Sequence, residues 1–511
     1  MAYFNTIDYV LFFVMVAVVL FAGFMAYFWR KPKTMSDMSE WGLGGSKFGT
    51  IVIWFLLGGD LYTAYTLIAV PGVASDSGAL AMFAITYGIM IYPIVYATMP
   101  RLYSVSKKRG YITSSDFVKD RFNSRMLAML IGLTGVVAEL PYIALQIVSI
   151  KAVLTVMSLP VTYTLIIAYV LVGLFTFLSG LRGPALTAIL KDAIIWVVVL
   201  TVIIYVPYRL GGFGNIFHQA SILFGTKTVA NPHPNANAPL FESPTLALGY
   251  TTLALGSALA LFLYPHGVTG TLASKDVKTI KRNSSLLPLY NVLLLIVAVM
   301  GIAAVVANNG VFSSANSSFA IPDLIKDMFP SLFTSFAYAA IVIGSVVPAS
   351  IMAIASANLL TRNVYLEYIN PKASSRTQAW LSRVLVLVVI IASIAFSIVP
   401  AASANIVYLQ TFGGAFILQT LPAVYIALYT RRFNKWSIGL GWIVGLSTTL
   451  YLLFSLNFAG SLYKTFDYMY VGIAALLLNL LTVFVVQFIF RLLGKEKDEG
   501  IIENSELVPD Y

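Results

Sequence analysis

The sequence predicts an all-α integral membrane protein of about thirteen spans, and three observations predict it. Hydrophobic residues make up 59%, charged residues only 10%, and the mean hydropathy is +0.86; soluble domains hold roughly 45–50% apolar residues. Apolar runs long enough to cross a bilayer, about 20 residues each, lie near 7–28, 49–71, 77–99, 126–157, 160–180, 184–208, 246–266, 284–308, 333–361, 381–399, 403–429, 436–456 and 467–492. The loops between them then place 27 of the 32 Lys and Arg residues on one side. An odd number of spans sets the termini on opposite sides, and the basic side is the cytoplasmic one. The N-terminus is therefore expected outside and the C-terminus inside.

The elements follow in order. The first run has no basic stretch before it and spans fully, so it reads as an anchor rather than a cleaved signal. The second run contains Trp54-Phe55-Leu56-Leu57-Gly58-Gly59-Asp60-Leu61-Tyr62-Thr63-Ala64-Tyr65-Thr66. Gly58 and Gly59 are poor helix formers, which predicts an unwound segment there. Asp60 beside them is a carboxyl at bilayer depth, tolerated where it meets a partner, a proton or a cation. Span seven is interrupted too, at Gly256-Ser257 and at Leu263-Tyr264-Pro265-His266-Gly267. The two interruptions each begin a group of five spans, so the second group enters from the opposite side. Paired breaks in an inverted five-plus-five repeat point to a transporter's midplane site.

Other polar residues lie at depth. Glu139 sits mid-span beside Pro141, with Tyr142, Gln146 and Lys151 further along; Glu139 reads as a cation or proton carrier or as a partner of another helix. Lys151 is expected to snorkel outward. Lys191 and Asp192 read as an inner-gate or structural pair, and His266 as a structural hydrogen-bonding group that could also titrate. Outside the spans, loop 209–245 carries a Pro/Asn-rich turn cluster at 230–235. Residues 274–282 suit a basic helix on the inner leaflet, and 494–511 read as a disordered cytoplasmic tail. The net charge of +11 belongs to topology, not to nucleic acid. With no cysteine, no His/Glu metal spacing and no phosphate-cradling loop, the sequence offers no catalytic constellation.

Five stretches carry a resemblance when taken together: Trp41-Gly42-Leu43-Gly44-Gly45; Gly58 to Thr66 running into Val70-Pro71-Gly72; Gly180-Leu181-Arg182-Gly183-Pro184-Ala185 with Lys191-Asp192; Tyr264-Pro265-His266-Gly267; and Ser356-Ala357-Asn358-Leu359-Leu360-Thr361-Arg362-Asn363-Val364-Tyr365. In this order they resemble the sodium:solute symporter family, and within it the bacterial monocarboxylate (lactate/pyruvate-type) permeases. The resemblance implies a leucine-transporter-type fold: an extra first helix (7–28), repeat one (49–208), repeat two (246–429) and two trailing helices (436–492). It implies a sodium site where the first broken helix meets span nine, with carbonyls around Gly59 and Tyr62; on span nine the Gly344 carbonyl and the Ser350 hydroxyl are the remaining candidate ligands. Span nine departs from the pattern, because the positions of the family's paired hydroxyls hold Val347 and Pro348. Val offers no oxygen, while Pro348 leaves the Gly344 carbonyl without a donor; the coupling ion is read as sodium or a proton, with Asp60 and Glu139 as proton acceptors.

These readings combine into one expectation. The chain is a plasma-membrane symporter importing a small organic acid, lodged between spans two and seven. Its carboxylate faces a half-helix N-terminus, lined by Gly58, Gly59, Tyr62, Thr63, Tyr65, Tyr142 and Gln146. A monomer suffices; the partners are the carboxylate, the coupling cation and the bilayer. A proline-like amino acid is the alternative cargo, and a channel or transporter-like sensor the rival class.

Overall fold

A computed structural model describes residues 3–26, 28, 37–61, 63–225, 246–313, 315–398, 406–494 and 500–509. Among them, ten helices are long and apolar enough to cross a membrane, or eleven if one bent pair counts as a span. Helix α1 (Thr6–Met25) opens on an Asn5–Asp8 capping box, which satisfies its first N–H groups. Its exposed Ile7, Val10, Val14, Val18 and Phe21 recur every three or four residues, the stripe of a helix that faces lipid.

The short α2 (Met38–Gly42) leads to α3 (Thr50–Leu61). Helix α3 does not unwind at Gly58-Gly59 as expected; it stays helical to Leu61, and the chain resumes as a π-turn, Tyr65–Ala69, that runs into α4 (Val70–Ser77). The glycines serve close approach instead. A Cβ on Gly58 would lie 2.5 Å from the Tyr290 ring, and one on Gly59 3.2 Å from Lys191 Nζ, so larger side chains would push both neighbours away. Gly78, at φ +60°, ends α4 in a conformation that glycine adopts without strain.

Next come α5 (Phe83–Arg109), α6 (Ser114–Phe122), the long α7 (Arg125–Val156), α8 (Val161–Ser179), α9 (Arg182–Arg209) and α10 (Phe213–Gly225). The turn cluster at 230–235 lies outside the described residues. The second interruption is plain: α11 (Ala247–Leu261) and α12 (Pro265–Leu272) meet at a 45° bend. Pro265 cannot donate to the preceding turn, and as the first residue of α12 it needs no donor. The span thus extends to Leu272, which puts His266 at a mid-span break and not at a cytoplasmic end. Helix α13 (Val277–Leu286) turns its buried Val277 and Ile280 inward, while Lys281 lies over the Tyr96 ring at 4.7 Å.

After α14 (Tyr290–Ala307) and α15 (Ala320–Met328), α16 (Ser331–Leu359) crosses with every residue of its most apolar window buried. This helix and α7 are the centre of the molecule; α17 (Ser375–Ile398) and the last helix, Val471–Leu492, are one-third buried over the same window length and face lipid. The tail is not the disordered segment expected at 500–509. Arg109 Nε and Nη2 each donate to Glu506 at 2.8 Å, Arg431 donates to the carbonyls of Gly500 and Ile502, and Ile501 N–H bonds Asp120 O. Buried Ile502 and Leu507 supply the apolar contact that the charged composition concealed.

Candidate functional site

Each break exposes backbone groups that a continuous helix would pair, and each finds a different partner. At the end of α3, the Gly59 carbonyl has lost its acceptor role toward the residue four ahead. Lys191 Nζ, on α9, donates to it at 2.7 Å and pairs with Asp192 Oδ1 at 2.6 Å. Tyr290 O–H donates to Asp192 Oδ2 at 3.1 Å and stacks edge-on against Trp54, ring centroids 4.4 Å apart. The Lys191 and Asp192 side chains are fully buried. The pair read from sequence as lying apart from the binding site therefore clamps the broken helix itself. Tyr290 was not foreseen, since nothing in its own stretch marks it.

Past the break, Thr63 Oγ1 accepts Tyr65 N–H at 2.9 Å, and Gln146 Oε1 accepts Ala64 N–H at 3.3 Å. Thr63, Ala64, Tyr65 and Gln146 are all buried. Gln146 Nε2 has no hydrogen-bond partner among the described residues. A buried amide donor left unmade costs about 1–3 kcal/mol, so it marks a place where an acceptor belongs. Asp60 is the last residue but one of α3, with its side chain outside the described residues; Tyr62 lies outside them altogether.

The second break is filled by a carboxylate. Glu139 Oε1, on α7, accepts His266 N–H at 3.0 Å and lies 2.7 Å from His266 Nδ1, which puts the ring proton on Nδ1. Both side chains are fully buried. The rings of Tyr142, Tyr264 and His266 gather there, with centroids 5.3–5.5 Å apart, and Tyr264 O–H donates to the Gln410 carbonyl at 2.9 Å. Glu139 and His266, read separately from sequence, are thus one unit, and the N-terminus of α12 already holds an acid.

Helix α7 joins the two breaks. Glu139, Tyr142 and Gln146 stand at i, i+3 and i+7, hence on one face. Lys151 is exposed, as snorkelling requires.

Of the expected ion ligands, Ser350 Oγ donates to Val346 O within its own helix at 3.0 Å, and Gly344 is buried in α16. Val347 packs in an apolar cluster with Val19, Ala188 and Ile343, against Phe55 of α3.

The remaining motif residues meet on the side carrying α2, α6 and the end of α16. Leu181 N–H bonds Trp41 O, Asn358 Nδ2 donates to Gly42 O, and Asn363 Nδ2 donates to Asp116 Oδ1 at 3.0 Å. Arg182 pairs with Glu40; burial raises the Glu40 carboxyl, but bonds from Arg182 and Lys47 outweigh it and hold its pKa below the ordinary value.

A family model described as the sodium:solute symporter family matches residues 41–445. The chain belongs to the sodium:solute symporter family. It is a multi-pass membrane symporter and not an enzyme. A monocarboxylate transport permease protein of Rhizobium johnstonii is 42% identical over 446 residues, covering 87% of this chain and 88% of the relative. An uncharacterized symporter of Bacillus subtilis, YodF, is 33% identical and covers 93% and 92%. Among solved structures, a Na+-coupled sialic acid symporter in a substrate-bound outward-open state superimposes with a TM-score of 0.73 over 95% of this chain and 98% of that one, at 15% identity; that likeness establishes the fold.

Proposed function

We propose that this symporter imports a small monocarboxylate together with a cation. The observation that carries the reading is the fully buried, unpartnered Gln146 amide beside the N–H groups that open the second half of the first broken helix. A carboxylate satisfies that amide donor and lies at the positive end of a helix dipole, whose Ala64 and Tyr65 N–H groups are taken by Gln146 and Thr63. Tyr65, Thr63 and Tyr142 form the walls. The 42% identical relative named as a monocarboxylate permease supports the same class of cargo.

The thirteen-span arrangement, outside N-terminus and inverted five-plus-five repeat belong to this reading. In it the two breaks face each other at the midplane, and the repeats rock about them. Moving the anion with at least one positive charge removes the opposition of an inside-negative membrane. The family's name argues for sodium as that charge. Two residues argue against its usual position: an ammonium already sits on the Gly59 carbonyl, and Val347 presents no oxygen. They motivate a proton as the alternative to the sodium that the family supports. Labelled pyruvate uptake into proteoliposomes, with sodium and proton gradients imposed separately, decides between them; a strict sodium requirement would refute the proton assignment. Asp60→Asn is expected to abolish gradient-driven accumulation while membrane insertion persists, and normal accumulation in that variant would remove Asp60 from coupling.

A further inference from the structure

We infer that Glu139 is a resident carboxylate that sets the charge class of the cargo. By occupying the N-terminus of the second broken helix, it leaves one helix N-terminus for an incoming acid, so that monocarboxylates are carried and dicarboxylates refused. The inference rests on the functional reading above and goes beyond it, because it names the residue that rejects the second charge.

A site built from two half-helices offers two anion-binding ends. In this protein they are not equivalent. Gln146 presents a neutral amide to the first, with its Nε2 unpartnered among the described residues. Glu139 presents an acid to the second, and its Oε1 accepts the backbone N–H of His266 and meets the ring Nδ1, the role of a carboxylate oxygen. The two residues are seven apart on one face of α7, which separates them by two turns, about 10 Å. A linear dicarboxylate with one end at Gln146 would bring its other end toward Glu139. There it would find the His266 N–H already used and a like charge in a fully buried setting, where repulsion is screened least. An uncharged tail meets neither obstacle, and the Tyr142, Tyr264 and His266 rings around Glu139 offer it an apolar wall. Rejection built from a fixed repulsive group is the way specificity is obtained when attraction alone cannot supply it.

The test compares wild-type protein, Glu139→Ala and Glu139→Gln in proteoliposomes near neutral pH. Malonate, succinate and glutarate compete with labelled pyruvate, and propionate serves as the monoacid reference. The readout is the ratio of inhibition constants, dicarboxylate to propionate, a quantity that a merely structural role for Glu139 would not move. Wild-type uptake is expected to ignore all three dicarboxylates. In Glu139→Ala, which vacates both space and charge, the ratio for at least one of them falls by roughly tenfold or more. In Glu139→Gln, which keeps an oxygen for His266 and removes only the charge, it falls less. Variants that still take up pyruvate with an unchanged ratio would overturn the assignment of Glu139 while leaving the monocarboxylate reading standing. Wild-type protein that binds dicarboxylates as well as propionate would overturn it directly. Wild-type protein that takes up no acid would overturn the functional reading and this inference together. Should Glu139→Ala fail to insert, the Gln variant decides alone.

Discussion

The two broken helices solve the same problem with opposite chemistry. Each leaves backbone donors exposed in the middle of the protein, and each receives a side chain from the same face of α7. The first break gets an amide, Gln146, whose second half is unpartnered among the described residues; the second gets a carboxylate, Glu139, locked to His266. The difference teaches that two breaks in one fold need not be two copies of one binding site. A neutral partner leaves the positive helix end available to an anion, whereas a charged partner neutralises it. The first break is also clamped by Lys191 on the Gly59 carbonyl.

The largest way to break this comparison is to remove that clamp. Lys191→Ala strands the Asp192 carboxylate and the Gly59 carbonyl in a fully buried place. Loss of one partner of a buried pair costs about 3–5 kcal/mol, so thermal unfolding in detergent should drop sharply and uptake should vanish. Lys191→Met with Asp192→Asn should recover most of the stability but not the uptake. Gln146→Leu is the next step down. It keeps the volume and removes the donor, so the apparent affinity for pyruvate should fall by about 1.5–3 kcal/mol, roughly ten- to a hundredfold, with the amount of inserted protein unchanged. An unaltered uptake KM in that variant would dissolve the asymmetry between the breaks.

How much of this was legible in the sequence depends on distance along the chain. The apolar runs are local, and so the helical membrane fold could be read. The second break was legible because Pro265 cannot continue a helix. The first was misplaced by about three residues, since glycine permits unwinding without compelling it, and Gly58 and Gly59 are spent on approach to Tyr290 and Lys191. The pairing of Glu139 with His266, 127 residues away, could not be read from either stretch alone. The same holds for Tyr290 on Asp192 and for Arg109 on Glu506, each joined only by the packing of helices far apart in sequence.

The smallest expected effect lies at the C-terminal strap, 500–509. Its bond from Arg109 holds the Glu506 carboxyl below the ordinary value. A depressed folded pKa gives stability that is present above the unfolded value, about 4.3 for Glu, and is lost as pH falls through the folded one. Protection of residues 500–509 in hydrogen exchange should therefore be flat from neutral pH down to the carboxylate range and decline only below it. Arg109→Ala should lower that protection at every pH while leaving pyruvate uptake nearly unchanged.

The central claim, that the first break receives a carboxylate, is tested most directly by competing labelled pyruvate against lactate and its neutral amide, lactamide, in wild-type proteoliposomes. The two competitors match in size and differ in charge. Strong competition by lactate with none by lactamide is the predicted result; equal competition by both would contradict it.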